Sequence, residues 1–290
     1  MSQRTSFANS MRHIRRKPSP DELDGRGRRP NEPWHLNTLQ RHLVAASGEF
    51  VGTFFFLFFG YAGHLMIIDQ VTVDLDRAVA PVATPGILQT VFVGYAYGFS
   101  LLVTVLAFYR ISGGLFNPAV TLGLCAAGGL PWIRAVFLIP AQLIASMCAG
   151  GVVEAVFPGR IAGVNTLLGP NVNTAQGLFA EMFFTSYLVF VILMLAIEKS
   201  RVTFIAPIGI GLALFVAEIP GVYYTGGSLN PARSFGCAVA GRSFPGYHWI
   251  YWLGPAMGGL LAAGYYRFVK AAHYEEANPG QDAPVAEDEA

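Results

Sequence analysis

Apolar residues in this chain run in long, nearly unbroken blocks rather than in narrow stripes. Six blocks are long enough to cross a bilayer core, which takes about 20 helical residues: Leu43–Ile68, Ile87–Phe108, Ile133–Phe157, Leu178–Ile197, Phe204–Val222 and Trp249–Phe268. None alternates polar and apolar positions as barrel strands do. The pattern predicts an all-α membrane protein with six transmembrane helices. Polar stretches flank the blocks, a tail over 1–41 and another over 271–290. No secretory leader is expected, because the first apolar block lies behind the long polar tail.

The blocks repeat. The first carries "GEFVGTFFFLFFG" and the fourth "AEMFFTSYLVFVI", so Glu49 stands four residues before Thr53 as Glu181 does before Thr185. Each half then shows a second span, a polar stretch built on Asn-Pro-Ala, and a third span. Three spans per half turn the second half upside down relative to the first. The predicted channel domain, 42–270, is therefore an inverted repeat of about 42–157 and 178–270. Such repeats place a substrate pathway at their pseudo-symmetry axis.

The Asn-Pro-Ala stretches, "GGLFNPAV" and "GGSLNPAR", lie 113 residues apart. Asn is a strong helix N-cap, and Pro suits the first helical position, where no N–H is needed. Asn117, Pro118 and Ala119 should open a helix through "AVTLGLCAA"; Asn230, Pro231 and Ala232 should open another through "ARSFGCAVA". Each is roughly ten residues or about 15 Å, half a bilayer core. Entering from opposite faces, two such re-entrant half-helices meet N-terminus to N-terminus, with both positive dipole ends at one point. Each Asn oxygen would cap its own helix, leaving the NH2 group as a donor to any lumen. The plainer reading of Asn-Pro is a turn, which serves for one copy but not for two in matching places.

Composition and charge sharpen this picture. Only 13% of residues are charged, about half the share of a soluble domain. Nine of the 19 Lys and Arg fall in the first 41 residues. With cytoplasmic termini, Arg110, Arg134, Lys199, Arg201, Arg267 and Lys270 also fall inside, and only Arg77, Arg160, Arg233 and Arg242 outside. The positive-inside bias supports that orientation. Neither tail looks like a nucleic-acid module. Cys125, Cys148 and Cys237 give no close pair for a disulfide or metal site. Six histidines, His13, His35, His42, His64, His248 and His273, are scattered; His64 and His248 read as interfacial.

From Glu49 to Phe268 the sequence resembles the aquaporin, or major intrinsic protein, family. The motifs that carry the likeness are "ISGGLFNPAVTLG", "YYTGGSLNPARSFG" and "HWIYWLGPAMGG". The resemblance implies six tilted helices plus two half-helices, a pore in each subunit, a homotetramer in the plasma membrane, and passive flow with no cofactor. The opposed dipoles and Asn donors would turn back protons and ions, the barrier for which aquaporin pores are known. It also implies that Glu49 and Glu181 hold the re-entrant backbone. Their other reading is as proton-relay carboxylates.

Ser234, Ala238 and the pair Tyr251–Trp252 resemble the water-selective branch of the family rather than its glycerol facilitators. Matched residue by residue, the outer selectivity filter falls on Tyr97, Glu218, Gly227 and Arg233. Arg233 is the expected cation barrier. Glu218 departs from the usual His, and Leu115 from a His found in many water channels. Glu218 is expected on the border of the pore, beside Arg233; the alternative is that Pro220 bends it away. Gly227 is expected to leave a wider opening, which would admit glycerol or hydrogen peroxide besides water.

The basic, Pro-rich tail is expected to be disordered and to touch anionic lipid. Ser19, before Pro20, is a candidate phosphosite for gating. The readings are a water channel, a wider facilitator, or a non-conducting scaffold whose lumen Tyr97 and Phe116 close. A membrane-embedded enzyme would need a convergent nucleophile, base or metal site, which the sequence does not offer. The permeants would be water and small neutral solutes, the partner the lipid bilayer, and no nucleic acid.

Overall fold

A computed structural model describes residues 37–77 and 86–280. Among them there are helices and turns but no strand. The long helices are α1 (Thr38–Arg77), α2 (Ile87–Phe108), α4 (Trp132–Val156), α5 (Thr174–Ile192), α6 (Ala206–Thr225) and α8 (Ile250–Ala271). Two ten-residue helices, α3 (Pro118–Ala127) and α7 (Pro231–Ala240), sit between the second and third long helices of each half. A short α9 (Tyr274–Ala277) follows α8.

Helix ends follow local chemistry. Asn37 and Gln40 bond each other's backbone N–H at the start of α1. Asn173 and Gln176 do the same at the start of α5. These reciprocal caps use two otherwise orphaned donors each. The helix α5 loosens into a π-turn over Leu193–Ile197 before the chain turns into α6.

Five of the six long helices are long and apolar enough to cross a membrane. The exception is α8, whose sequence "IYWLGPAMGGLLAAGYYRFVKA" is diluted by glycines, tyrosines and Pro255. The cause is packing. A Cβ at Gly254 would lie 2.8 Å from the Leu178 carbonyl of α5, and one at Gly259 would lie 2.7 Å from the Ala119 carbonyl of α3. Small residues let helix backbones approach closely inside a bilayer, so the sixth span trades hydropathy for contact. Outward-facing positions carry large exposed apolar side chains, Phe59, Phe92, Val136 and Phe183 among them.

The halves interlock. Besides α2 on α6, α3 packs against α8 of the other half, and α7 against α4. Each half-helix thus leans on the third long helix of the opposite repeat.

Candidate functional site

The two Asn-Pro-Ala turns meet at the centre. Asn117 Oδ1 accepts from the amides of Ala119 (2.8 Å) and Val120 (3.4 Å), capping α3. Asn230 Oδ1 accepts from Ala232 (2.9 Å) and Arg233 (3.4 Å), capping α7. Pro118 and Pro231 occupy the first helical positions, where a missing N–H costs nothing. The NH2 groups are not left wholly to the lumen as the sequence suggested. Asn117 Nδ2 donates to the Leu229 carbonyl and Asn230 Nδ2 to that of Phe116, both at 2.8 Å. One N–H per amide remains for the lumen.

Those carbonyls are aimed by strain. Phe116 and Leu229 both have φ of +50°, a region bulky residues avoid at a cost of roughly 1–2 kcal/mol. Their amides explain how the shape is kept. Glu49 Oε2 accepts from Phe116 N (2.7 Å), and Oε1 from Leu115 N (3.0 Å) and Ser112 Oγ (2.6 Å). Glu181 Oε2 accepts from Leu229 N (2.7 Å), and Oε1 from Ser228 N (3.0 Å) and Thr225 Oγ1 (2.6 Å). Every donor in one loop stands 113 residues from its counterpart in the other. Both carboxylates are fully buried, and acceptor-only groups are what a row of turned-in N–H donors requires.

Further residues support the loops; Gln142, Tyr61 and Ser146 carried no sequence signal of their own, and Tyr251 was marked only by the family resemblance. Gln142 of α4 donates to Glu49 Oε2 (2.8 Å) and to Thr121 (3.0 Å). Tyr61 of α1 donates to the Arg233 carbonyl (2.6 Å), and Ser146 of α4 to that of Ala232. Tyr251 of α8 donates to the Thr225 carbonyl (2.8 Å).

A narrow cavity runs past both Asn residues. Tyr97, Glu218, Asn117, Asn230 and Arg233 line it, with Leu115, Phe56 and Leu188 among the apolar walls. It offers about 20 Å³ to water centres, little more than the ~10–15 Å³ a single water needs. A wider vestibule of about 290 Å³ shares Gly114, Leu115, Val120, Ile192 and Ile210 with it and reaches Lys199. Part of the lining pairs up by the 113-residue offset, but its chemistry does not. Tyr97 answers to Ile210, Ser228 to Leu115 and Arg233 to Val120. The scaffold is symmetric, and polarity is concentrated at the Arg233 end.

At that end Arg233 Nη1 donates to the Val164 carbonyl (3.1 Å), in the turn Ile161–Val164 between the halves. Its guanidinium lies 5.0 Å from the Tyr97 ring centre. Glu218 is buried and lines this cavity despite Pro220 two residues on. No ion pair joins Glu218 and Arg233 among the described residues. Gly227 does not line the cavity, and the opening expected over it is filled: a Cβ there would fall on Glu218 Oε2. His64 is buried on α1, 6.0 Å from the Tyr97 ring. His248 is half-buried against Phe244, 5.0 Å away, and burial holds its imidazole below the usual value. Ser19 lies outside the described residues.

Comparison with known proteins agrees with this architecture. The family described as "Major intrinsic protein" matches residues 36–266. The chain is 61% identical over 278 residues to "Probable aquaporin-3" of Gibberella zeae, covering 94% of this chain and 95% of that one. It is 52% identical over 250 residues to "Aquaporin-7" of Botryotinia fuckeliana, covering 86% of this chain but only 54% of that relative. Among solved structures, the aquaglyceroporin from Plasmodium falciparum superimposes with a TM-score of 0.64, at 19% identity over 81% of this chain and 99% of that one; it shares the fold. Opposed half-helices in an inverted helical repeat, joined to a family match over most of the sequence, lead to one assignment: the chain belongs to the major intrinsic protein (aquaporin) family and is a multi-pass membrane channel, not an enzyme.

Proposed function

We propose that this chain is a passive water channel that excludes ions and protons. The observation that supports the reading is the narrow cavity lined by both Asn117 and Asn230, which shares part of its wall with the vestibule near Lys199. Water in it passes two amide donors and two positive helix ends. Its oxygen turns toward Asn117 and Asn230, which breaks a one-way chain of hydrogen bonds. An ion stripped of water in so narrow a space loses tens of kcal/mol of solvation before relaxation, and a cation additionally meets Arg233.

Tyr97, Glu218 and Arg233 form the outer filter in this reading, with Gly227 behind Glu218. Glu49 and Glu181 serve as structural acceptors rather than proton relays, since each is saturated by donors from its loop. The proposal extends to a homotetramer in the plasma membrane with cytoplasmic termini, consistent with the Lys and Arg distribution.

The test is the shrinkage rate of proteoliposomes holding the purified chain after an osmotic step, with a pH-sensitive dye enclosed. Fast shrinkage with no proton entry supports the reading. Shrinkage no faster than in empty vesicles leaves only the scaffold reading.

A further inference from the structure

The Arg233 guanidinium is anchored at a single atom. Among the described residues Nη1 donates to the Val164 carbonyl, whereas Nε and Nη2 have no hydrogen-bond partner. Where that carbonyl sits therefore decides where the guanidinium sits. Val164 closes the turn Ile161–Val164 between the two halves, and the turn itself must be held.

One set of contacts holds it to α7. Cys237, one helical turn beyond Arg233, donates its thiol to the Ile161 carbonyl at 3.4 Å. Asn165 Nδ2 donates to the Ser243 carbonyl (2.7 Å), and a Cβ on Gly241 would lie 2.8 Å from Ala162 Cα. These contacts lie on α7 or just past its end, so they tie the turn to the same element that carries Arg233. The opposing hold comes from α4. Glu154, two residues before the end of that helix, accepts the Ile161 amide on Oε2 (2.5 Å). Its Oε1 lies 3.5 Å from Nε of the exposed Arg160. The chain can fold back onto Glu154 because Gly159 takes a φ of +97°. Ile161 is fully buried, and a carboxylate gives its amide a charge-assisted acceptor.

We propose that Glu154 is a positioning residue for Arg233: by pinning Ile161 to α4 it fixes the Val164 carbonyl, and through it the guanidinium. Glu154 lies outside the lining of the narrow cavity and acts through the backbone of the turn. A guanidinium released from Val164 swings into a space little wider than one water and obstructs it. This inference rests on the water-channel reading and adds to it the residue that keeps the Arg233 end clear.

The full-length chain in proteoliposomes is assayed for water permeability per channel. Glu154→Leu removes the acceptor at similar bulk. One lost buried hydrogen bond shifts a two-position equilibrium by roughly five- to tenfold, and permeability should fall by about that factor. Glu154→Gln keeps an acceptor oxygen and should restore most of the flux, and Arg160→Ala should leave flux at the wild-type level. The deciding measurement is Glu154→Leu in an Arg233→Ala background, where the same substitution should change water permeability little, because the group it acts through is gone. If the leucine protein does not reach the vesicles, Glu154→Ala reads the same bond, and Arg233→Leu replaces a background that does not fold. A full fall that persists without Arg233 makes Glu154 a mere loop support and overturns the inference. So does a leucine variant with wild-type flux, or a glutamine variant as slow as the leucine one. A wild type that passes no more water than empty vesicles overturns the channel reading itself, and this inference with it.

Discussion

Replacing Glu181 by leucine tests how the re-entrant loops are held. The carboxylate is fully buried and accepts the amides of Ser228 at 3.0 Å and Leu229 at 2.7 Å. Leucine is close in bulk but accepts nothing, so both amides lose their partner in a region closed to solvent. The Thr225 hydroxyl is less affected, since it also reaches the Gly221 carbonyl at 3.1 Å. At about 1–3 kcal/mol per orphaned amide, the loss is roughly 2–6 kcal/mol. The backbone of Leu229 adds to this, because its left-handed conformation is no longer pinned. For a chain of this size, about 2–4 °C of melting temperature accompany each kcal/mol, which predicts a drop on the order of 10 °C. Glu181→Gln keeps one good acceptor and should lose roughly half as much. The assay is thermal unfolding of the purified protein in detergent, followed by intrinsic fluorescence. A leucine variant that melts with the wild type, or a glutamine variant that melts below the leucine variant, would refute the reasoning.

Glu49→Leu should be the harsher change, since Gln142 also loses its acceptor; the same melting experiment ranks the two. Asn230→Ala removes the cap of α7 and the bond to the Phe116 carbonyl. It should destabilise by about 0.5–2 kcal/mol from the cap alone and lower water flux per channel in proteoliposomes. Gly227→Ala should displace Glu218 and melt early, whereas the double variant with Glu218→Ala should recover much of the loss, which a double-mutant melting cycle measures. Beyond the spans, Lys270 bonds Glu275 at 2.8 Å and holds its carboxyl below the usual value. This contact contributes above the ordinary carboxylate range and is lost as pH falls through the lowered folded value. Lys270→Met should raise the Glu275 titration midpoint seen by carboxyl NMR.

Much of the architecture could be read because two independent signals coincide in this sequence. Long apolar blocks locate the helices, and Asn-Pro locates the starts of α3 and α7. Repetition of both, with three spans in each half, then orients one half against the other. What escaped has physical reasons. Gln142, Tyr61 and Ser146 sit inside apolar helices at no special spacing, and they gain meaning only when α4 and α1 pack beside the loops. Gly227 invites the idea of an open space, but whether that space stays open depends on Glu218, nine residues away on another element. The α8 helix is weak by hydropathy because its glycines are selected for contact, which composition cannot distinguish from mere polarity. The second N–H of each Asn likewise finds a carbonyl in the opposite repeat, a pairing that no local rule supplies.

That exchange between Asn117 and Asn230 bears on biosynthesis. When Asn117 is added to the growing chain, its counterpart is still 113 residues from being made, on the order of ten seconds at common elongation speeds. Until then the first turn has neither the Leu229 carbonyl nor α8 to rest on. A nascent or prematurely terminated chain consequently lacks the residues of the second half that wall the cavity, Asn230 and Arg233 among them.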